Sequence, residues 1–174
     1  MMILYTFKLK HIVIVDILII SGGFILRAIS GAVVLDVMIS RWLIACTIFL
    51  SLFLILAKRR NEIIELGSEA AQHRAILQEY GVRFLDQMIA VTTASFVMAY
   101  SLYTFSATNL PKNHEMMLTI PFALYVVFRL LYLVHIKNAG GSPEEMVLRD
   151  KPLFISLILW GVVSVGILYF FGKA

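Results

Sequence analysis

The stretch from His11 to Leu35, HIVIVDILIISGGFILRAISGAVVL, decides how the rest of the chain is read. Asp16 and Arg27 are the only Asp, Glu, Lys or Arg within it. About 20 mostly apolar residues cross the ~30 Å hydrocarbon core of a bilayer as an α-helix. Length and composition therefore predict a spanning helix. Lys8 and Lys10 ahead of an apolar run, followed by Ser21-Gly22-Gly23, imitate a secretory signal. Asp16 interrupts that run, and the apolar pattern resumes at Phe24-Ile25-Leu26 without a clear cleavage site. The helix is read as retained.

Four further segments repeat the pattern: Trp42 to Ala57, Phe84 to Phe105, Met117 to Ile136 and Pro152 to Phe171. Over the 174 residues, 60% are apolar and 15% charged, against roughly 45–50% and about 25% in soluble domains. Mean hydropathy is +0.89. These values exclude a soluble enzyme and a disordered tail, and a single Cys excludes a disulfide scaffold. No segment alternates with period two over repeated ten-residue stretches, which excludes a transmembrane barrel. The net charge of +4 is what the cytoplasmic loops of a membrane protein supply, so no nucleic-acid partner is expected. The expected fold is an all-α polytopic bundle of five spans, one domain over residues 1–174.

Charge sets the expected orientation. With the N-terminus in the cytoplasm, that side carries ten cations: Lys8, Lys10, Lys58, Arg59, Arg60, Arg74, Arg83, Lys137, Arg149 and Lys151. The far side holds only Arg41, Lys112 and Lys173. The excess is a positive-inside signal, and five spans then place the C-terminus outside. Two cytoplasmic loops, 58–83 and 137–151, are long enough to carry structure. The first has an amphipathic pattern through Ile63, Ile64, Leu66, Ile76, Leu77 and Tyr80. The second has a Gly140-Gly141-Ser142-Pro143 turn before a Glu-rich helical start.

Ionisable groups within a span cost several kcal/mol unless they face protein or water, on the order of 2.5–3.5 by insertion scales. Eleven residues separate Asp16 from Arg27, three helical turns plus about 20°, so they share a face about 16 Å apart. Gly23 and Gly31 fall on that face, opposite Ile14, Leu18, Ile25 and Ile29. The stripe reads either as a close helix-packing seam or as one wall of a polar cavity. Lys58-Arg59-Arg60-Asn61-Glu62 likewise has two readings. It is a headgroup anchor with ordinary i,i+4 pairing, or a phosphate site whose carboxylates, Glu62 and Glu65, hold Mg²⁺. Asp86, Arg129, Asp150 and Lys151 also lie at or near cytoplasmic helix ends, so the candidates converge on one half of the bundle. His11, His73, His114 and His135 show no paired metal spacing, and Cys46 reads as an apolar filler.

These residues carry a resemblance. Leu9-Lys10-His11-Ile12-Val13-Ile14-Val15-Asp16, Gly23-Phe24-Ile25-Leu26-Arg27-Ala28 and Leu56-Ala57-Lys58-Arg59-Arg60-Asn61-Glu62 resemble the UbiA prenyltransferase superfamily. Within it they are most similar to the branch of polyprenyl-phosphate (decaprenyl-phosphate) phosphoribosyltransferases. The similarity continues through His73-Arg74-Ala75-Ile76-Leu77, Thr119-Ile120-Pro121-Phe122, Arg129-Leu130-Leu131-Tyr132-Leu133, Pro143-Glu144-Glu145 and Asp150-Lys151-Pro152-Leu153.

The resemblance implies nine transmembrane helices around a cavity open to the cytoplasm and laterally to lipid. It implies Mg²⁺-dependent transfer of 5-phosphoribose from phosphoribosyl pyrophosphate (PRPP) to a polyprenyl phosphate, releasing pyrophosphate, for lipid-linked arabinose and cell-wall synthesis. Lys58, Arg59, Arg60 and Glu62 occupy the place of the superfamily's second Asp-rich motif. The implied roles are Lys58, Arg59 and Arg60 on donor phosphates, with Glu62 on Mg²⁺ or orienting a lysine. Lys10 and Lys151 would take substrate phosphates, Asp16 would contact ribose or order Lys10, and Arg27 would support the cavity. The first motif, of Asn-Asp-x-x-Asp type, is absent, so the chain resembles the C-terminal five of nine helices. Its expected partners are the lipid bilayer and either the missing helices or a second copy. The rival expectations are a prenyltransferase for an aromatic or other acceptor, and a non-catalytic membrane subunit.

Overall fold

Helix α1, Val15–Val34, opens the computed structural model, which describes residues 14–36, 39–66, 81–107, 110, 114–139 and 143–171. It is followed by α2 (Arg41–Leu66), α3 (Val82–Ser106), α4 (Ile120–His135), the short α5 (Pro143–Arg149) and α6 (Lys151–Phe171). A 3₁₀ turn, Glu115–Thr119, leads into α4, whose first turn accepts Pro121 because that position needs no N–H partner. Among the described residues there is no strand. Five helical segments, the fourth combining the 3₁₀ turn with α4, are long and apolar enough to cross a membrane. The expected all-α architecture of five spans is borne out, and the chain is a multi-pass membrane protein.

The second span departs most from its expectation. The apolar run stops at Ala57, but α2 continues to Leu66 and is 26 residues long, about 39 Å. Residues 58–66 contain no Gly or Pro and several good helix formers, so nothing breaks the helix before Gly67. The Lys58–Glu62 cluster thus sits on a rigid helix, and the loop expected over 58–83 loses its first nine residues to α2. The rest of its amphipathic pattern, residues 67–80, lies outside the described residues, as does Lys10.

Packing fixes which faces are buried. Helix α1 meets α2 through its first two turns, where Ile17 and Ser21 are buried. The Ser51 hydroxyl donates to the Ile48 carbonyl, so the Ser21 hydroxyl donates to Ser51 across 2.5 Å. Farther along, Leu26, Val33 and Val34 are exposed. A Cβ built at Gly23 or Gly31 would meet nothing within 4 Å, so among the described residues the close-packing seam is not formed. The main core gathers Ile17, Phe53, Leu56, Leu85, Ile89, Leu130 and Leu153 from α1, α2, α3, α4 and α6. Deeper in the bundle, Trp160 donates from Nε1 to the Tyr100 hydroxyl (2.7 Å). Thr119 donates to the Met116 carbonyl, so Tyr100 donates to Thr119 (2.6 Å). That chain satisfies every polar group it contains.

Candidate functional site

The charged residues gather where α2 ends, α3 begins, α4 ends and α6 begins. Asn138 turns the chain out of α4 with φ 49°, and the Ala139 N–H reaches back to the Leu133 carbonyl at 3.0 Å, six residues behind. The Arg60 guanidinium donates from Nη1 to the Val134 carbonyl (3.0 Å) and to Asn138 Oδ1 (3.1 Å). A cation at a helix C-terminus is also favoured by the macrodipole. The same guanidinium donates from Nε to Asp86 Oδ1 in the first turns of α3 (2.6 Å), and His135 Nε2 lies 3.3 Å from that oxygen.

Arg59 points the other way around α2. Its Nη1 donates to Glu62 Oε2 at 2.6 Å, and its Nε lies 3.7 Å from Asp16 Oδ2 on α1. Asp16 is 1% exposed and Arg59 5%, so this pair is withdrawn from solvent and ties α1 to α2. At the opposite corner Arg129 grips Asp150 with two parallel bonds, Nε to Oδ1 (3.0 Å) and Nη2 to Oδ2 (2.8 Å). Asp150 Oδ1 also accepts the Leu153 N–H at 2.9 Å, capping α6. The Arg129 fork holds the Asp150 carboxyl below the usual carboxylate range; partial burial opposes this, and the Leu153 bond adds to it.

The expected site residues therefore divide. Lys58 and Lys151 are exposed. Glu62 is partly exposed and joined to Arg59. Arg59 and Arg60, expected on donor phosphates, are instead buried and engaged by carboxylates, because each has one within reach across a helix turn or a helix boundary. Asp16 joins this network, but Arg27 does not. Its guanidinium lies over the Phe24 ring at 5.9 Å on the exposed half of α1. The shared face of Asp16 and Arg27 follows from helix geometry, yet among the described residues of α1 only Asp16, Ile17 and Ser21, in its first turns, are buried. Asn61, Asn138 and His135 received no role from the sequence. Their signal was position alone, His135 and Asn138 at the end of an apolar run and Asn61 within the basic cluster.

Beside the network lies a polar cleft of about 390 Å³ lined by Asn61, Glu65, Lys137, Asn138, Glu145 and Arg149 among others. Asp150 on its wall is already neutralised by Arg129. The cleft thus offers balanced charge, two cations and two carboxylates besides Asp150. Among the described residues no three His, Cys, Asp or Glu side chains group closely enough to hold a metal unaided.

No protein-family model matches the chain. It is similar to the decaprenyl-phosphate phosphoribosyltransferase of Mycolicibacterium smegmatis, 32% identical over 178 positions covering 95% of this chain and 54% of that protein. The protein of the same name from Mycobacterium tuberculosis is 29% identical over 99% of this chain and 56% of its own length. That of Corynebacterium glutamicum is 29% identical over 90% of this chain and 47% of its own. The chain spans about half the length of the curated relatives it matches.

Proposed function

We propose that this chain, a homologue of the decaprenyl-phosphate phosphoribosyltransferases over nearly its whole length, is the C-terminal five-helix part of a UbiA-type transferase, a single transmembrane domain. Its reaction is the transfer of 5-phosphoribose from PRPP to a polyprenyl phosphate. The carrying observation is the 32% identity across 95% of the chain. The convergence of the charged residues on one end of the bundle supports it.

In this reading a phosphate oxygen of the lipid attacks C1 of the ribose and forms the new C–O bond. The bond from C1 to the pyrophosphate oxygen breaks, and pyrophosphate leaves with the electron pair. No nucleophilic side chain is needed. Negative charge grows on the leaving oxygens, where preorganised cations act most strongly. Lys58, exposed on the end of α2, takes a donor phosphate, with Lys151 and Lys10 on others. Arg59 acts through Glu62, holding the carboxylate in one orientation, and buried Asp16 holds Arg59. Arg60 fixes α4 against α3, and Arg27 faces whatever covers the outer half of α1.

Mg²⁺ typically takes one or two carboxylates and completes its shell with substrate phosphates and water. Glu62 and Glu65, three residues apart on α2, meet that minimum, since the Arg59 bond uses only Oε2 of Glu62. Bound there, the ion would neutralise pyrophosphate charge as it develops. The site lies on the cytoplasmic side, with the N-terminus inside and the C-terminus outside the cell membrane.

The test is reconstitution. The chain alone, in vesicles with decaprenyl phosphate and radiolabelled PRPP, is expected to give no labelled lipid. Co-expression with the N-terminal helices of a relative should give Mg²⁺-dependent labelling. Robust turnover by the isolated chain would overturn the assignment as a part, and no turnover by the reassembled pair would overturn the function.

A further inference from the structure

Helix α5 is short, seven residues from Pro143 to Arg149, and isolated helices below about 12–15 residues are marginal in water. Its own ion pair, Arg149 to Glu145 at 3.4 Å, is solvent-exposed and adds little. Among its described side chains only Met146 is buried. Contacts outside α5 must therefore set its direction, and Asp150 supplies them.

Asp150 is the joint between α5 and α6. Its N–H donates to the Met146 carbonyl (3.3 Å), closing α5, and its carbonyl accepts the Phe154 N–H (3.0 Å), opening α6. The side chain is committed as well. Oδ1 accepts the Leu153 N–H, and both carboxylate oxygens are held in the Arg129 fork from α4. A bidentate pair fixes angle as well as distance. Arg129 is itself steadied, because its guanidinium lies over the Tyr132 ring at 5.0 Å. Backbone, cap and fork meet at one residue, so α4 dictates the direction in which α5 leaves α6.

That direction matters at the polar cleft. Glu145, Met146 and Arg149 of α5 form part of its wall, together with Asn61 and Glu65 of α2. Glu65 is one of the two carboxylates proposed for Mg²⁺. Five residues separate Asp150 from Glu145, about 7.5 Å of helix, so a swing of about 15° at the joint carries the Glu145 backbone about 2 Å. A misplacement of ~1 Å near reacting groups can cost on the order of 100-fold in rate.

We infer that Arg129 is a positioning residue for the transfer reaction, a role that rests on the proposed function. It acts through Asp150 and holds α5 as a fixed wall of the cleft. The fork is a latch on α5 as well as a tie between α4 and α6.

Two measurements test it. With the chain in detergent, hydrogen–deuterium exchange of residues 146–150 reads the latch without any turnover. Arg129→Gln should speed that exchange at least tenfold, while the spans of α2 and α3 keep their wild-type protection. Arg129→Lys, which keeps the cation and loses the fork, should fall between. In the reassembled enzyme the same order should hold for kcat, with Arg129→Gln lower by on the order of 100-fold and Arg129→Lys partly rescued. Leu148→Ala, on the exposed face of α5, should change neither. Unchanged exchange in α5 would overturn the latch, and exchange raised equally throughout the bundle would reduce Arg129 to a structural tie. Raised α5 exchange with wild-type kcat would overturn the positioning role. A reassembled wild-type enzyme without transfer would instead sink the proposed reaction, and the exchange map would still decide the latch.

Discussion

Arg60 of α2 and Asp86 of α3 meet at 2.6 Å, and the same guanidinium reaches the Val134 carbonyl in the last turn of α4. One side chain thus holds three helices at a common end. Its removal leaves a carboxylate and a helix-terminal carbonyl without their donor. Arg60→Ala should lower stability by about 1.5–3 kcal/mol, the range for hydrogen bonds to charged groups. Thermal unfolding in detergent measures this, with Arg60→Lys expected between Ala and wild type. Equal midpoints for all three would remove Arg60 from the account of the fold.

Catalysis makes a different demand on the neighbouring positions. In the reassembled enzyme, Lys58→Ala and Glu62→Ala should each reduce transfer on the order of 100-fold, the scale of losing one preorganised electrostatic group. Arg59→Lys should keep part of the activity, because a cation still faces Glu62 and Asp16. Initial rates with labelled PRPP decide it, and near wild-type turnover in both alanine variants would take this cluster out of the mechanism.

Acid should loosen α6. The folded Asp150 carboxyl is held below its ordinary range, chiefly by Arg129. A depressed carboxyl contributes stability that is fully present above the unfolded value, near 4, and is lost as pH falls through the folded one. Melting midpoints between pH 7 and pH 3 should therefore fall more steeply for wild type than for Asp150→Asn. The amide still caps α6 but carries no charge to lose. Parallel curves would contradict this.

Orientation is tested by position-specific reporters. One fused after Lys173 should read as external and one inserted near Gly67 as cytoplasmic. Finding both on one side would break the five-span arrangement.

Much of the scaffold was legible because membrane crossing needs only length and hydropathy, which the runs from His11, Trp42, Phe84, Met117 and Pro152 display. The end of α2 was not. Apolarity stops at Ala57, whereas helicity depends on propensity and continues to Leu66. Periodicity placed Asp16 and Arg27 on one face, but could not tell that the buried residues of α1, among those described, all lie in its first two turns. The convergence of charge on helix ends was legible, and its pairing was not. Arg60 lies 26 residues from Asp86 and 78 from Asn138, and no local pattern connects residues so far apart.

The length of α2 has a consequence for the surrounding bilayer. At about 39 Å against ~30 Å of hydrocarbon, the helix outruns the apolar slab by nearly two turns. Arg59, Arg60 and Glu62 then ride at headgroup depth, and hydrophobic mismatch sets how wet the partly exposed Glu62 is. A thicker, more ordered membrane would draw these ion pairs toward hydrocarbon, tightening each bond and raising the cost of opening it. A thinner one would leave the partly exposed Glu62 in water, while Arg59 and Asp16 stay shielded by the protein. Lipid composition would thereby act on the site through α2, with no lipid touching it.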